Sequence, residues 1–305
     1  MTAHDWRAAL LRLDGAYSDN TIRTYRTDVQ AYETWARATQ LEPFPASAEM
    51  IAAFIAARAP HDAASTLRRR IYGLRKIHRL LKLPSLIDDE EVTIALRKAL
   101  RQKRSRMKQA LGLKRDLLER LMEATGDDLL GLRDRALLAL GYATLCRRAE
   151  LVAIRVEDFG KVDEDGSVSV LIRRSKADPF GYGRVAWVSP HAMEHVRSWL
   201  VASGIDEGFV IRTVFGEKII DEAIAPYSVS RRLKRLAEKA GLDAATIAGL
   251  SGHSLRVGAA QDMAEEGFDL LALMTAGGWK TAHVVARYVE EARVRRVGEK
   301  RRLVR

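Results

Sequence analysis

The sequence contains few of the features that mark secreted or membrane proteins. Its 305 residues include one cysteine, Cys146, so an internal disulfide is excluded. No apolar run approaches the roughly 18 residues that a membrane-spanning helix needs. The N-terminal stretch MTAHDWRAALLRLDG includes Asp5 and Asp14 and lacks the basic-then-apolar order of a signal peptide. We therefore expect a soluble, cytoplasmic protein without a membrane partner.

Acidic residues are also in short supply. The chain has 51 lysines and arginines against 40 aspartates and glutamates, which gives a formal net charge of +11. A surplus of this size predicts a polyanionic partner, either nucleic acid or an acidic membrane surface. The length is sufficient for two domains, and the 47% of hydrophobic residues are enough to form a core in each.

The first hundred residues carry apolar side chains at helical spacing, interrupted by prolines. The predicted helices cover residues 4–13, 19–39, 46–58, 62–82 and 90–105. Residues 63–82 contain seven basic side chains and no acidic one. A solvated helix face normally mixes charges of both signs, so this face is predicted to contact DNA. Its predicted contacts are Arg68, Arg75, Arg79 and Lys82.

The second part of the chain mixes helices with a short β region. A basic connection covers 102–112, and further helices are predicted at 113–124, 129–142, 190–203, 226–240, 243–250, 253–266, 269–276 and 281–292. Strands are predicted at Ala153–Phe159, in SVSVLIRR and GRVAWVS on either side of SKADPFGYG, and in FVIRTVF. The predicted fold is mainly α: an all-helical N-terminal domain (1–107), a linker (108–112) and an α-rich domain (113–305) that carries a small antiparallel β-sheet.

Seven side chains of the second part form a set suited to phosphate chemistry. They are Arg147, Glu150, Lys176, His253, Arg256, Trp279 and Tyr288. A phosphodiester under attack gains negative charge on its non-bridging oxygens, and fixed guanidiniums and N–H groups stabilise that charge. Tyr288 is the candidate nucleophile, Lys176 the acid that protonates the leaving 5′ oxygen, and His253 a base or a phosphate ligand. A covalent intermediate conserves the energy of the phosphodiester bond, and no acidic cluster is available for a metal, so no cofactor is predicted.

The spacing of Trp279 and Tyr288 restricts how the two rings can share a site. They are nine residues apart, which is about two and a half turns and places them on opposite faces of one unbroken helix. They can meet only if a helix begins between them. Thr281 is a suitable N-cap for such a helix.

These motifs together resemble the tyrosine recombinases of the phage integrase family. TLCRRAELVAIRVEDF is similar to the region of the family's first catalytic arginine, RRSKAD to its hairpin lysine, GHSLRVGAAQDMA to its H-x-x-R box and AGGWKTAHVVARY to its tyrosine segment. SDNTIRTYRTDVQAYETWA resembles the start of the family's core-binding domain, and KQALGL resembles the exit of its linker. The likeness spans most of the chain, and the order of the elements makes it more specific than any single motif.

The resemblance implies an activity and a set of partners. It implies a SAM-like N-terminal domain and a catalytic domain forming a C-shaped clamp around duplex DNA. The DNA would carry an inverted-repeat target site and be cleaved and rejoined through a 3′-phosphotyrosyl intermediate and a Holliday junction. The protein would be a monomer in solution and a homotetramer on two DNA sites, associated with the nucleoid. Of the adjacent Arg147 and Arg148 it selects the first as catalytic, with Glu150 orienting an arginine or the histidine. Arg231 or Arg232 is the candidate base reader.

Two positions depart from the family's pattern. Leu145 stands where most members have a glycine, and Trp279 stands where most have a histidine. The indole N–H can still donate a hydrogen bond to a phosphate, so neither departure removes a catalytic group.

Three other functions have some support in the sequence. A DNA-binding regulator without catalysis would use the same scaffold, and a type IB topoisomerase would use the same chemistry to relax supercoils. The segment HAMEH, 191–195, also fits the zinc-protease pattern H-x-x-E-H. Such a short pattern is weak evidence for zinc, because no motif for a third ligand accompanies it.

Overall fold

The helical periodicity of the first hundred residues produces α-helices in the structure, a computed structural model that describes residues 5–85, 89–103, 109–173, 182–290, 292–294 and 298. The chain divides into two units, Met1–Met107 and Lys108–Arg305. Helices of the first unit are α1 (Trp6–Leu11), α2 (Asp19–Ala38), α3 (Ala48–Arg58), α4 (Ala64–Leu80) and α5 (Glu90–Gln102). Side-chain oxygens cap the first turns of α1, α2, α3 and α5; they belong to Asp5, Ser18, Ser47 and Asp89.

An aromatic cluster fills the core of the first unit. The ring of Tyr32 lies 5.3 Å from Phe54 and 5.8 Å from Phe44 between centroids, both edge-on. Helix α4 buries its apolar face against this core through residues such as Leu74 and Ile77. The basic face of α4 is therefore directed away from the core of the unit.

The second unit contains both helices and strands. Its helices are α6 (Arg115–Glu123), α7 (Leu129–Ala143), α8 (Arg148–Leu151), α9 (Pro190–Ser203), α10 (Pro226–Lys239), α11 (Ala244–Gly249), α12 (Ser254–Glu266), α13 (Leu270–Gly277) and α14 (Ala282–Tyr288). Its strands are β1 (Phe159–Val162), β2 (Val168–Ile172), β3 (Arg184–Val188), β4 (Arg212–Phe215) and β5 (Lys218–Ala223). The prediction of a mainly helical fold with a small antiparallel sheet is confirmed.

The first three strands form one antiparallel sheet in the order β1-β2-β3, and β4 and β5 form a hairpin. In the three-stranded sheet Val168 faces Val188 and Val170 faces Ala186, and all four side chains are buried. They join a core that includes Trp199, whose indole N–H donates to the Val210 carbonyl at 2.7 Å. Within the described residues, every helix is too short or too polar to cross a membrane.

The predicted strands differ from the observed ones at two places. The predicted strand Ala153–Phe159 is wrong over most of its length: Val156–Asp158 is a short 3₁₀ helix, and β1 begins at Phe159. The Asp158 carboxylate accepts the backbone N–H of Arg155 at 2.8 Å, which turns the chain at that point. The strand β5 was not predicted. Its residues KIIDEA are mostly exposed, so they lack the alternation of a half-buried strand.

A buried ion cluster joins α7 to α10. Asp134 is 1% exposed; one carboxylate oxygen accepts Arg133 at 2.6 Å, and the other accepts the Nε of Arg232 at 2.9 Å. The side chain of Arg133 is buried, and that of Arg232 is 14% exposed. The single carboxylate is therefore the counter-charge that the two guanidiniums share.

We predict that Asp134→Asn destabilises the second unit by about 3–5 kcal/mol, because it leaves two guanidiniums, one of them buried, without their counter-charge. The exposed pair Arg135–Asp127 supplies a matched control, since Asp127 is 93% exposed. Asp127→Asn should change the free energy of unfolding by less than about 1 kcal/mol. Urea unfolding followed by circular dichroism measures both; equal effects of the two substitutions would contradict the prediction.

Candidate active site

The start of α12 places His253 and Arg256 side by side. The backbone N–H of Ser251 donates to the hydroxyl of Ser254 at 2.9 Å, and the N–H of His253 donates to the hydroxyl of Ser251 at 3.1 Å. These bonds fix the turn from which α12 begins. His253 precedes the first residue of the helix and keeps an exposed edge, whereas Arg256 lies within the first turn and is 2% exposed.

The buried guanidinium of Arg256 contacts the backbone on one side and an indole on the other. Its Nη1 donates to the carbonyl oxygen of Leu145, and its central carbon lies 3.9 Å from the ring centroid of Trp279. Its Nη2 is buried and has no hydrogen-bond partner within the part of the chain that the structure describes. A buried N–H donor without an acceptor is uncommon in folded proteins. A bound anion is the kind of group that satisfies it.

Arg147 and Glu150 form an ion pair at the beginning of α8. The Nη1 of Arg147 donates to one oxygen of Glu150 at 2.6 Å, and the backbone N–H of Arg147 donates to the other at 3.0 Å. Glu150 is buried, and the Arg147 side chain is 27% exposed. The neighbouring Arg148 is exposed. Glu150 thus fixes both the backbone and the guanidinium of Arg147.

Trp279 and Tyr288 meet because a helix begins between them, as the spacing predicted. α13 ends at Gly277, Gly278 adopts a left-handed φ of 64°, and α14 starts after Thr281. A Cβ on Gly277 would lie 2.0 Å from the indole of Trp279, so the first glycine of the pair leaves room for that ring. The two aromatic rings are 6.0 Å apart between centroids and inclined at 59°.

The backbone of Tyr288 is held from α12. Gln261 donates its side-chain N–H to the Tyr288 carbonyl at 3.2 Å, and the ring is partly buried. Arg256, Trp279 and Tyr288 therefore form one continuous row of contacts. The H-x-x-R box and the tyrosine segment, which are separated in sequence, meet at one place in the fold.

Positive charge dominates the electrostatics of this site. Partial burial, followed by the charges of Arg148, Arg256 and Arg147, lowers the pKa of His253, so its imidazole is neutral at pH 7. Burial and the nearby Arg147 lower the pKa of Arg256 to about 10, which still leaves it charged. Burial raises the pKa of the Cys146 thiol to about 11, as expected for a small buried side chain that does not react.

The remaining predicted residues occupy different surroundings. Lys176 lies outside the described residues. In the first unit Arg68, Arg79 and Lys82 are exposed, whereas Arg75 is half-buried.

On α10 the two candidate base readers differ. Arg231 is exposed, with its guanidinium 4.9 Å from the Tyr227 ring centroid, whereas Arg232 belongs to the buried ion cluster with Asp134.

One further arginine reaches the site although no sequence motif marks it. Arg184, the first residue of β3, donates to the carbonyl oxygens of Thr144 and Ala276 at 2.6 and 2.9 Å. These partners are 40 and 92 residues away along the chain. A motif search cannot connect positions at such distances.

The two histidines of HAMEH share a face of α9, with ring centroids 5.1 Å apart. Across the residues that can be described, however, no three His, Cys, Asp or Glu side chains lie close enough to hold a metal ion.

Both parts of the sequence match models of a known family. Residues 112–295 match the phage integrase family, and residues 8–83 match the phage integrase N-terminal SAM-like domain. The first match covers more than half of the chain, and the chain therefore belongs to the phage integrase family.

Individual members of the family are similar over most of their length. The chain is 28% identical over 294 residues to an integrase/recombinase XerD homolog of Selenomonas ruminantium, covering 93% of this chain and 85% of that protein. It is 29% identical over 295 residues to the recombinase Cre of Escherichia phage P1, covering 90% of this chain and 84% of that protein. A solved lambda integrase tetramer bound to a Holliday junction has a TM-score of 0.63 at 16% identity, covering 94% of this chain and 77% of that one. That last likeness supports the fold.

Leu145 occupies a backbone conformation that favours glycine. Its φ is 49°, in the left-handed region, and its side chain is buried among Ala259, Leu273 and Trp279. The conformation turns the Leu145 carbonyl towards Arg256. Glycine would adopt this conformation without a steric penalty, whereas the leucine offsets backbone strain through its apolar burial.

We predict that the buried side chain of Leu145 stabilises the second unit, whereas its backbone conformation destabilises it. Leu145→Ala should destabilise the second unit by about 3–5 kcal/mol, since it removes a buried side chain and keeps the strain. Leu145→Gly should be more stable than Leu145→Ala by about 1 kcal/mol, because glycine adopts positive φ without penalty. Urea midpoints of the three proteins measure the difference. An alanine variant as stable as the glycine variant would refute the strain.

We also predict that the imidazole of His253 titrates below the ordinary value near 6.5. The unfolded chain keeps the ordinary pKa near 6.5, so it binds the imidazole proton more tightly than the folded protein does. The free energy of unfolding should therefore fall as the pH drops below about 6.5 and passes through the lower pKa of the folded protein. Arg148→Gln should raise the pKa of His253, because Arg148 lowers that pKa more than Arg256 or Arg147 does. NMR titration of the imidazole protons measures both, with Arg197→Gln as an exposed control on α9. A midpoint that Arg148→Gln leaves unchanged would contradict this electrostatic origin.

Proposed function

We propose that this chain is a site-specific DNA recombinase that cuts and rejoins duplex DNA through a phosphotyrosyl intermediate. The observation that carries the proposal is the row formed by Arg256, Trp279 and Tyr288. It brings together an indole, a phenol and a buried N–H donor that has no partner among the described residues. A scissile phosphodiester supplies the anion that such a row lacks. Membership of the phage integrase family supports the same activity.

Each side chain has a role in this chemistry. The hydroxyl oxygen of Tyr288 attacks the scissile phosphorus, the bond to the 5′ oxygen breaks, and the strand remains attached through its 3′ phosphate. The neutral imidazole of His253 accepts the tyrosine proton or donates to the phosphate, and Lys176 protonates the leaving 5′ oxygen. The reverse reaction with a new 5′ hydroxyl reseals the strand, so neither ATP nor a metal is required.

Three groups stabilise the negative charge of the transition state. Arg147, Arg256 and the indole N–H of Trp279 donate to the non-bridging oxygens, in a site where the donors are already held in place. Glu150 acts through Arg147, whose guanidinium and backbone it fixes. The role of Trp279 corresponds to that of the histidine found in most of the family.

The basic helices contact DNA in this proposal. The N-terminal unit is a core-binding domain whose helix α4 contacts phosphates through Arg68, Arg75, Arg79 and Lys82, and the exposure of three of them supports this.

On α10, Arg231 is the better base reader, because Arg232 is held in the ion cluster with Asp134. In this proposal Arg232 holds α10 against α7 through Asp134 instead of contacting a base.

The reaction also implies an assembly. Two duplexes have to exchange strands, which requires two pairs of active sites and a target with inverted repeats. The solved lambda integrase tetramer on a Holliday junction supports a tetramer on two DNA sites for this chain. We place the protein on DNA in the cytoplasm, as a monomer until it binds its target.

We predict that the wild-type chain, but not Tyr288→Phe, becomes covalently attached to DNA. The substrate is a library of nicked duplexes made from the host genome and from the DNA that flanks the gene. The nick lets the short fragment with the 5′ hydroxyl diffuse away and prevents resealing. Adducts that survive denaturation in SDS are recovered and sequenced, and a few related inverted-repeat sites should be enriched.

Tyr182→Phe is the control, because it removes the hydroxyl of a different tyrosine of the same unit, one that is exposed. It should form adducts at the wild-type level. An adduct that persists in Tyr288→Phe would assign the nucleophile elsewhere. Binding without any adduct would favour a DNA-binding regulator, and supercoil relaxation without site preference would favour a topoisomerase.

A further inference from the structure

Arg184 connects three segments that carry the candidate active site. It is the first residue of β3 and is half-buried. Its Nη2 donates to the carbonyl of Thr144 at 2.6 Å and lies 3.5 Å from the sulfur of Cys146, while its Nη1 donates to the carbonyl of Ala276 at 2.9 Å. One planar guanidinium thus holds two backbone segments against the end of the sheet.

The first of these segments leads to Arg147. Thr144 directly precedes Leu145, whose carbonyl accepts the buried Arg256, and lies three residues before Arg147. The bond from Arg184 therefore fixes the carbonyl next to the one on which Arg256 depends. A shift of this segment moves the anchors of both catalytic arginines.

The second segment leads to Trp279. Ala276 lies in the last turn of α13, three residues before the indole that packs on Arg256. Gly278 makes the contact possible: a Cβ there would lie 2.7 Å from Cδ of Arg184 and 3.0 Å from its Nε. The second glycine of the GGW motif is therefore explained by the passage of the arginine side chain as well as by its φ of 64°.

We propose that Arg184 is a positioning residue that aligns Arg147, Arg256 and Trp279 for one phosphate. The inference rests on the proposed function, since it assigns a reaction step to these groups. Among the described residues, the guanidinium of Arg184 donates to two carbonyl oxygens and lies against the Cys146 sulfur, so in this proposal it acts through the segments that it holds. Arginine suits this role because its rigid fork satisfies two separated acceptors at once, whereas lysine donates from a single nitrogen.

A residue that only positions catalytic groups should affect the rate of cleavage without affecting the affinity for DNA. Affinity comes mainly from phosphate contacts spread over the protein surface, which Arg184 does not make in this proposal. The cleavage rate depends on the placement of a few donors, and a displacement of about 1 Å can lower a rate by roughly 100-fold. Loss of Arg184 is therefore expected to slow cleavage at saturating DNA and to leave the dissociation constant nearly unchanged.

The first test compares Arg184→Met and Arg184→Lys with the wild type on the duplex most enriched in the adduct experiment. The rate of adduct formation at saturating protein and the dissociation constant are measured for each. We expect Arg184→Met to lower the rate by roughly 10- to 100-fold and Arg184→Lys to restore part of it, with affinities within about twofold of wild type. Arg212→Met is the control, because Arg212 also begins a strand and donates to two carbonyls, those of Phe209 and Glu207. It should retain the wild-type rate.

The second test uses two glycines with nearly the same backbone, and it remains informative if Arg184→Met fails to fold. Gly278 and Gly204 both follow a helix, with φ of 64° and 65°, but a Cβ on Gly204 would meet nothing within 4 Å. Both alanine variants carry the same backbone penalty, and only Gly278→Ala displaces Arg184. We expect Gly278→Ala to slow adduct formation by roughly 10-fold or more and Gly204→Ala to leave the rate unchanged.

The outcomes separate the inference from the proposed function. A wild-type chain that forms no adduct overturns both. Wild-type cleavage with unchanged rates in Arg184→Met or, where that variant does not fold, in Gly278→Ala overturns the inference alone. A loss of affinity that equals the loss of rate also overturns it, because Arg184 would then act in DNA binding.

Discussion

A guanidinium that is 2% exposed needs partners that stay in place, since a buried cation without them costs several kcal/mol. Arg256 obtains one from the Leu145 carbonyl and another from the face of Trp279. Each partner requires an unusual backbone. Leu145 is held at positive φ to present its carbonyl, and Trp279 follows two glycines, one of which leaves room for its ring. The burial of a single arginine thus determines the conformation of two distant loops.

Those loops end in the other members of the site. The segment from Thr144 continues to Arg147, which Glu150 fixes through a guanidinium contact and a backbone contact. The segment from Trp279 continues to α14, which carries Tyr288. Arg256 contacts both segments, one at the Leu145 carbonyl and the other at the Trp279 ring. Motifs that are far apart in the sequence are therefore held close together in the fold.

Much of the fold was predictable because amphipathic helices carry their own signal. Helices such as α2 and α10 begin and end within one or two residues of the predicted limits. The failed strand at Ala153–Phe159 shows where that signal ends. Ile154 and Val156 alternate as in a strand, and each makes one backbone bond to the segment near Val210, but Asp158 turns the chain before a ladder forms. A side chain that competes for backbone hydrogen bonds outweighs periodicity there.

The sequence predicts candidate members of the site but few of the contacts that connect them. Short motifs select Tyr288 and Arg256 as candidates. The spacing allows Trp279 and Tyr288 to share a site only if a helix begins between them, and α14 does begin there. The contacts of Arg184 could not be predicted, because its acceptors are backbone carbonyls, which every residue type carries. The ion pair that removes Arg232 from the α10 surface was equally invisible, since Asp134 is 98 residues away.

The charge of the site links phosphate binding to the protonation of His253. Among the groups that set its pKa, three arginines lower it and Glu150 alone raises it. A phosphodiester bound beside Arg256 and Arg147 adds negative charge at the point where positive charge is in excess, so it raises the pKa of the imidazole. In the proposed reaction, the imidazole of His253 would therefore become a stronger base as the phosphodiester binds, whether it accepts the tyrosine proton or donates to the phosphate. By linkage, the anion binds more tightly to the protein whose imidazole is protonated, with the same coupling free energy in both directions. The excess of positive charge that lowers the pKa of His253 would in this way favour binding of the phosphodiester in the proposed reaction.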